Sequence, residues 1–179
     1  WVRSGNISGT NTVITAAWGD STLTTAPSYA TDGSAWSNGY HGAWHFQELV
    51  GNTLTDSGSK NFHGTGVGGP SIAAGQVGNS VSFDGTEDYI NFGRDAGNPG
   101  SVFTLTFWTK ISGGDVNPRL FGNKPESAGT SGWELYKGTN ANRLYYRGSG
   151  NPSRYKAMLS SGSWNDGNWV HLALRVNGG

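Results

Sequence analysis

Asp56, Asp84 and Asp88 are the side chains of this sequence that could hold a hard cation. Asp56 opens an Asp-Ser-Gly turn, and Asp84 and Asp88 bracket Gly85-Thr86-Glu87. Calcium takes carboxylate, amide and backbone carbonyl oxygens, and loops rich in Asp, Asn and Gly supply them. The same aspartates have a structural use, accepting hydrogen bonds from their own backbone in Asx-turns. Beside Gly85 that use is favoured for Asp84; for Asp56 the two are evenly matched. A second set of residues suits a sugar. Tyr136, Tyr145, Arg147 and Tyr155 combine aromatic faces for pyranose rings with guanidinium donors for hydroxyls, and Glu134, Asn151 and Arg154 lie near them. The alternative is that this face packs against a second sheet, as a sandwich requires.

Catalytic constellations are missing. The chain has no cysteine, hence no thiol nucleophile, thiolate metal site or disulfide framework. It has no Gly-x-Ser-x-Gly elbow and no His-Glu-x-x-His. His41, His45, His63 and His171 lack zinc-site spacing, and His45, flanked by two aromatics, reads as a polar-tipped sheet residue rather than a base. A glycosidase needs two carboxylates flanking the scissile bond. The close acidic pairs, Asp84 with Glu87 and Glu87 with Asp88, lie in a turn, while Glu126 and Glu134 stand alone. The expectation is a protein that is not an enzyme.

The elements that must position these residues are strands. In Val102–Ile111, Phe103, Leu105, Phe107 and Ile111 share one parity and Thr104, Thr106, Trp108 and Lys110 the other. Trp169–Val176 alternates the same way, with Leu172, Leu174 and Val176 opposite His171, Ala173 and Arg175. A period of two means a strand with one face on a core. Arg119–Gly122, Trp133–Lys137 and Arg143–Arg147 read as further strands, Lys156–Leu159 as a weaker one and Gly42–Phe46 as an early one. Asp84-Gly85 suggests a hairpin between Val81–Phe83 and Tyr89–Phe92, with Val102–Ile111 as their long partner. Residues 51–80, rich in turn signals, are expected to run irregularly over the surface. Thirty glycines and 22 aromatics among 179 residues suit an all-β chain with many turns, and no stretch has helical periodicity. The expected core is Phe83, Phe103, Leu105, Phe107, Leu135, Leu172 and Leu174.

Twelve basic residues balance twelve acidic ones, so the overall charge points neither to nucleic acid nor to an anionic membrane. No apolar run reaches membrane-spanning length.

The run from Val81 to Ile90 (VSFDGTEDYI), followed by Phe103 to Trp108 (FTLTFW), resembles the opening of a bacterial LamG-like domain, one of the concanavalin A-like jelly rolls. Asp56-Ser57-Gly58 through Gly64-Thr65 resembles the loop preceding that family's Phe-Asp-Gly segment, and Trp169-Val170-His171-Leu172-Ala173 its later Trp-His-His-Val-Ala strand. The three fall in the family's order between about residues 40 and 177. The resemblance implies an antiparallel β-sandwich, a partial jelly roll over residues 37–179, and raises the odds of calcium. Residues 1–36, with Trp1-Val2-Arg3 and Thr12–Gly19 as strand candidates, resemble the tail of a small bacterial β-domain followed by a Ser/Thr/Ala-rich linker. A LamG-like jelly roll usually continues past a Val-Asn-Gly-Gly turn, so both ends are expected to be cut and exposed sheet edges to favour self-association.

The function expected is a non-catalytic module of a larger secreted bacterial protein, extracellular, periplasmic or cell-surface, binding a glycan or a cell-surface protein. The alternatives are a structural spacer or adhesin stalk without a small ligand, and an accessory domain of a glycoside hydrolase whose catalytic residues lie elsewhere. A superfold of this breadth cannot choose among them.

Overall fold

The computed structural model describes residues 21–22, 24–25, 28, 32–111, 118–123, 132–138, 143–147, 155–159 and 167–177, with backbone alone at 143, 144, 147 and 155–159. The strands expected at Trp1–Arg3 and Thr12–Gly19 lie outside these residues, as do Asn151 and Arg154.

The described chain is all-β and antiparallel. Its strands are β1 (Thr53–Leu54), β2 (Gly64–Val67), β3 (Ser71–Ala74), β4 (Asn79–Ser82), β5 (Tyr89–Asn91), β6 (Val102–Lys110), β7 (Arg119–Gly122), β8 (Glu134–Lys137), β9 (Arg143–Arg147), β10 (Tyr155–Leu159) and β11 (Trp169–Asn177). A 3-10 turn at Ser34–Trp36 and one helical turn, α1 (Gly93–Ala96), are its helical pieces. The sheets are β1-β2-β5, β10-β9-β8-β7, β11-β6 and β3-β4.

Two of these sheets form the sandwich. Strands β6 and β11 pair along their whole length, with Phe103 opposite Val176, Leu105 opposite Leu174 and Phe107 opposite Leu172. That register puts Phe103, Leu105 and Phe107 of one strand and Val170, Leu172, Leu174 and Val176 of the other on one face. The face packs on the β7-β8-β9 layer through Leu120, Phe121, Leu135 and Tyr146, with Leu135 wholly buried and Leu174 nearly so. Phe107 meets Phe121 edge-on at 4.7 Å, and Phe103 sits 5.1 Å from Trp133. Burying one leucine-sized side chain contributes roughly 1.5–3 kcal/mol. The same burial pushes the Tyr146 phenol above its usual pKa of 10.0.

Six of the seven expected core residues lie in this cluster. Phe83 does not. It is 46% exposed, just beyond the β3-β4 hairpin, whose Ile72 is also exposed. The expected hairpin across Asp84-Gly85 is likewise replaced: β4 pairs with β3 and β5 with β2. A two-residue type I′ turn needs positive φ at both central positions, and here Gly85 has it (82°) while Asp84 does not. The chain turns instead at Gly68-Gly69 (φ 90° and 136°), which sends β2 into β3. Residues 51–80 are therefore not irregular but hold β1, β2, β3 and the start of β4. Their glycines and serines carried no apolar alternation to announce them. In Gly42–Phe46 the expected strand shrinks to one bridge, Trp44 to Asp56.

Candidate functional site

Residues 43–63 are gathered around one carboxylate. Asp56 is 3% exposed. Its Oδ1 accepts from the backbone N–H of Ala43 (2.8 Å) and of Gly58 (2.8 Å), and its Oδ2 from that of Phe62 (3.0 Å). Its own N–H donates to His63 Nδ1 at 3.1 Å. Ser57 N–H donates to the Ala43 carbonyl, and the Trp44 indole N–H to the Phe62 carbonyl at 2.7 Å. Asp56 thus ties the segment before it to the loop after it. Gly58 fits closely here: a Cβ there would stand 3.0 Å from Asp56 Oδ1 and press on the carboxylate. Three N–H donors occupy most of the acceptor capacity a carboxylate has, so this geometry uses Asp56 as a clasp.

Beside it opens a polar cleft of about 310 Å³, edged by Asp32, Ser57, Ser59, Asn61 and His63. With Nδ1 of His63 accepting from Asp56, the neutral ring carries its proton on Nε2. Asp32 accepts from Ser34 N–H at 2.8 Å, and that bond lowers its pKa.

Asp84 and Asp88 lie elsewhere, on a surface loop. Asp84 Oδ1 accepts from Thr86 N–H (2.8 Å), an Asx-turn, and Asp88 Oδ2 accepts from Asp84 N–H (3.0 Å). Among the described residues no three His, Cys, Asp or Glu side chains are grouped as a metal ion requires. The three aspartates expected as calcium ligands are not brought into one cluster. His45 is half-buried 5.3 Å from the Trp36 ring, and desolvation lowers its pKa below 6.5.

The four residues expected to bind sugar do share one sheet. In the ladder Tyr136 faces Tyr145, Arg147 faces Glu134, and Tyr155 faces Arg147. Directly opposed residues lie on the same side of a sheet, so these positions share the side opposite Leu135 and Tyr146. The Tyr136 and Tyr145 rings are stacked, 5.3 Å apart and within 11° of parallel. Gly138 makes room for them, since a Cβ there would run into the Tyr145 ring. Beside them Arg119 Nε meets Glu134 Oε2 at 3.1 Å, with Glu134 buried and Arg119 45% exposed. Sequence reasoning missed Arg119 because an irregularity between Arg119 and Phe121 shifts the parity of β7.

Known proteins were compared with this chain. A family model described as the concanavalin A-like lectin/glucanases superfamily matches residues 84–179. The crystal structure of an S-layer domain-containing protein (residues 221–444) from Clostridium thermocellum ATCC 27405 superposes with a TM-score of 0.55 at 18% identity. The match covers 76% of this chain and 70% of that one, a likeness of fold. No curated protein matches the sequence.

Proposed function

Since the chain belongs to the concanavalin A-like lectin/glucanase superfamily, we propose that it is a non-catalytic recognition module of a larger secreted protein. Its ligand in this reading is a glycan, bound on the outer side of the β7–β10 sheet. One observation carries the proposal: the stacked Tyr136–Tyr145 pair on the side turned away from the sandwich core. Two near-parallel rings offer an apolar strip on which the C–H face of a pyranose can rest. The Arg119–Glu134 pair supplies an oriented polar border, and Arg147 and Tyr155 occupy the neighbouring row of the ladder. Calcium is given no part, because Asp56 is already engaged by three backbone donors.

A glycan array with the whole chain, followed by Tyr136→Ala and Tyr145→Ala, tests this. Binding to a defined glycan that falls about tenfold or more in either variant, with folding intact, is the expected result. Binding unchanged in both variants, or no glycan bound at all, would leave the spacer reading standing. Loss of folding in both would make the rings structural. Release of reducing sugar that stops in Glu134→Gln would overturn the non-catalytic assignment.

A further inference from the structure

The opposite side of the sandwich carries a different chemistry. Along the outer face of the β6-β11 ribbon the ladder sets Val102 beside Asn177, Thr104 beside Arg175, Thr106 beside Ala173, Trp108 beside His171 and Lys110 beside Trp169. Nine of these ten residues are exposed, and Trp169 is half-buried. Trp108 is 47% exposed, and its ring lies 5.1 Å from the His171 imidazole, tilted by 50°. Trp169 lies diagonal to Trp108, within reach of a large ring. The face contains Lys110, Arg175 and His171 and no aspartate or glutamate. That is a local departure, for the chain as a whole balances twelve basic against twelve acidic residues.

We propose that this face is a second binding surface, for an acidic polysaccharide carrying carboxylate or sulfate groups. Three features select that ligand. Lysine and arginine without a competing carboxylate favour an anion. An exposed indole flanked by imidazole offers the flat apolar surface that a pyranose ring takes. Two threonines, Thr104 and Thr106, supply hydroxyl hydrogen bonds along a ribbon about 30 Å long, which suits an extended chain rather than a compact solute. A lipid surface fits less well, because the exposed apolar groups, Val102 and Trp108, stand six positions apart with threonines between them. The proposal is independent of the tyrosine reading, since the two faces point to opposite sides of the core.

The test is titration of the whole chain, followed by tryptophan fluorescence, with polygalacturonate, dextran sulfate, neutral dextran, anionic phospholipid vesicles and single-stranded DNA. Saturable binding to polygalacturonate, to dextran sulfate or to both, and not to dextran, vesicles or DNA, is expected; which of the two binds assigns the anionic group. Binding should weaken several-fold between low and about 0.5 M salt, as exposed charges are screened. Trp108→Ala should weaken it about tenfold, and Arg175→Gln and Lys110→Gln severalfold each. Thr104→Glu, which adds a carboxylate at an exposed position, should abolish it while leaving the fold intact. Phe83→Ser, at an exposed position off this face, should leave it unchanged. Equal binding of DNA or vesicles, binding of neutral dextran alone, or a Thr104→Glu variant that binds like the parent would overturn the proposal. Should Trp108→Ala fail to fold, Thr104→Glu and Arg175→Gln decide alone.

Discussion

The two halves of this molecule are held together by opposite means. From Val102 onward, two sheets press apolar faces together around Leu135 and Leu174, with the buried Glu134 and Lys137 beside them on β8. Between Ala43 and His63 the organising group is a buried carboxylate, with backbone donors from three separate points of the chain converging on Asp56. Here the buried apolar residues, Ala43 and Leu54, lie outside the cluster built on Leu135 and Leu174. The contrast teaches where cooperativity comes from. Apolar packing is non-directional and tolerates exchange of similar shapes. A carboxylate clasp is directional, and removing it strands every donor that faced it.

Asp56→Ala should therefore be the most damaging single change, costing on the order of 3–5 kcal/mol, since it leaves buried N–H groups unsatisfied at roughly 1–3 kcal/mol each. Hydrogen exchange should show protection lost first at Ala43, Gly58 and Phe62 while the β6-β11 ladder stays protected. Uniform loss across the chain would mean the two halves unfold as one, and the contrast would fail. Leu135→Ala comes next, at about 2–5 kcal/mol for a cavity at the centre of the sandwich. Its denaturant midpoint should drop with the Asp56 network still protected.

A smaller effect separates the halves by pH. Burial lowers the pKa of His45, so the fold favours the neutral ring while the unfolded chain takes up a proton near pH 6.5. The unfolded state then binds more protons, and stability is lost as pH falls below that value toward the folded pKa. Melts between pH 7.5 and 5 should show this loss, and His45→Gln should remove part of it. An unchanged slope in that variant would place the acid sensitivity elsewhere. The least consequential change is Phe83→Ser. An exposed position away from packing or capping should shift stability by no more than about 0.5 kcal/mol. A larger loss would mean that Phe83 is covered in solution and that the β3-β4 hairpin belongs to the apolar half.

How much of this was legible in the sequence follows the same divide. In the apolar half the alternation in Val102–Lys110 and Trp169–Asn177 announced both strands, and the side each residue takes was correct from Phe103 to Val176. Tyr136 and Tyr145 were placed away from Leu135 by the same parity, and the ladder set them face to face. In the polar half little was readable. Strands β1 to β3 are two to four residues long with a single large aliphatic residue each, Leu54, Val67 and Ile72, among Thr, Gly, Ser and Ala, so there is no apolar alternation to detect. Asp56 stood out as a loop carboxylate, but nothing in Asp-Ser-Gly distinguishes a cation ligand from a clasp.

What the residues alone determine about this protein is its class: all-β, alternating, without a thiol, and with aromatic and charged side chains on the faces opposite the core. These are properties of neighbours in the chain, set by backbone geometry that repeats every two residues. Partners across space were decided by the tertiary structure. Which strand lies beside β4, whether Asp84-Gly85 makes a hairpin, what Asp56 accepts and which outer face lacks carboxylates all depend on segments tens of residues apart. Such pairings are chosen by summing packing and hydrogen bonds over the whole fold, and no local window contains that sum.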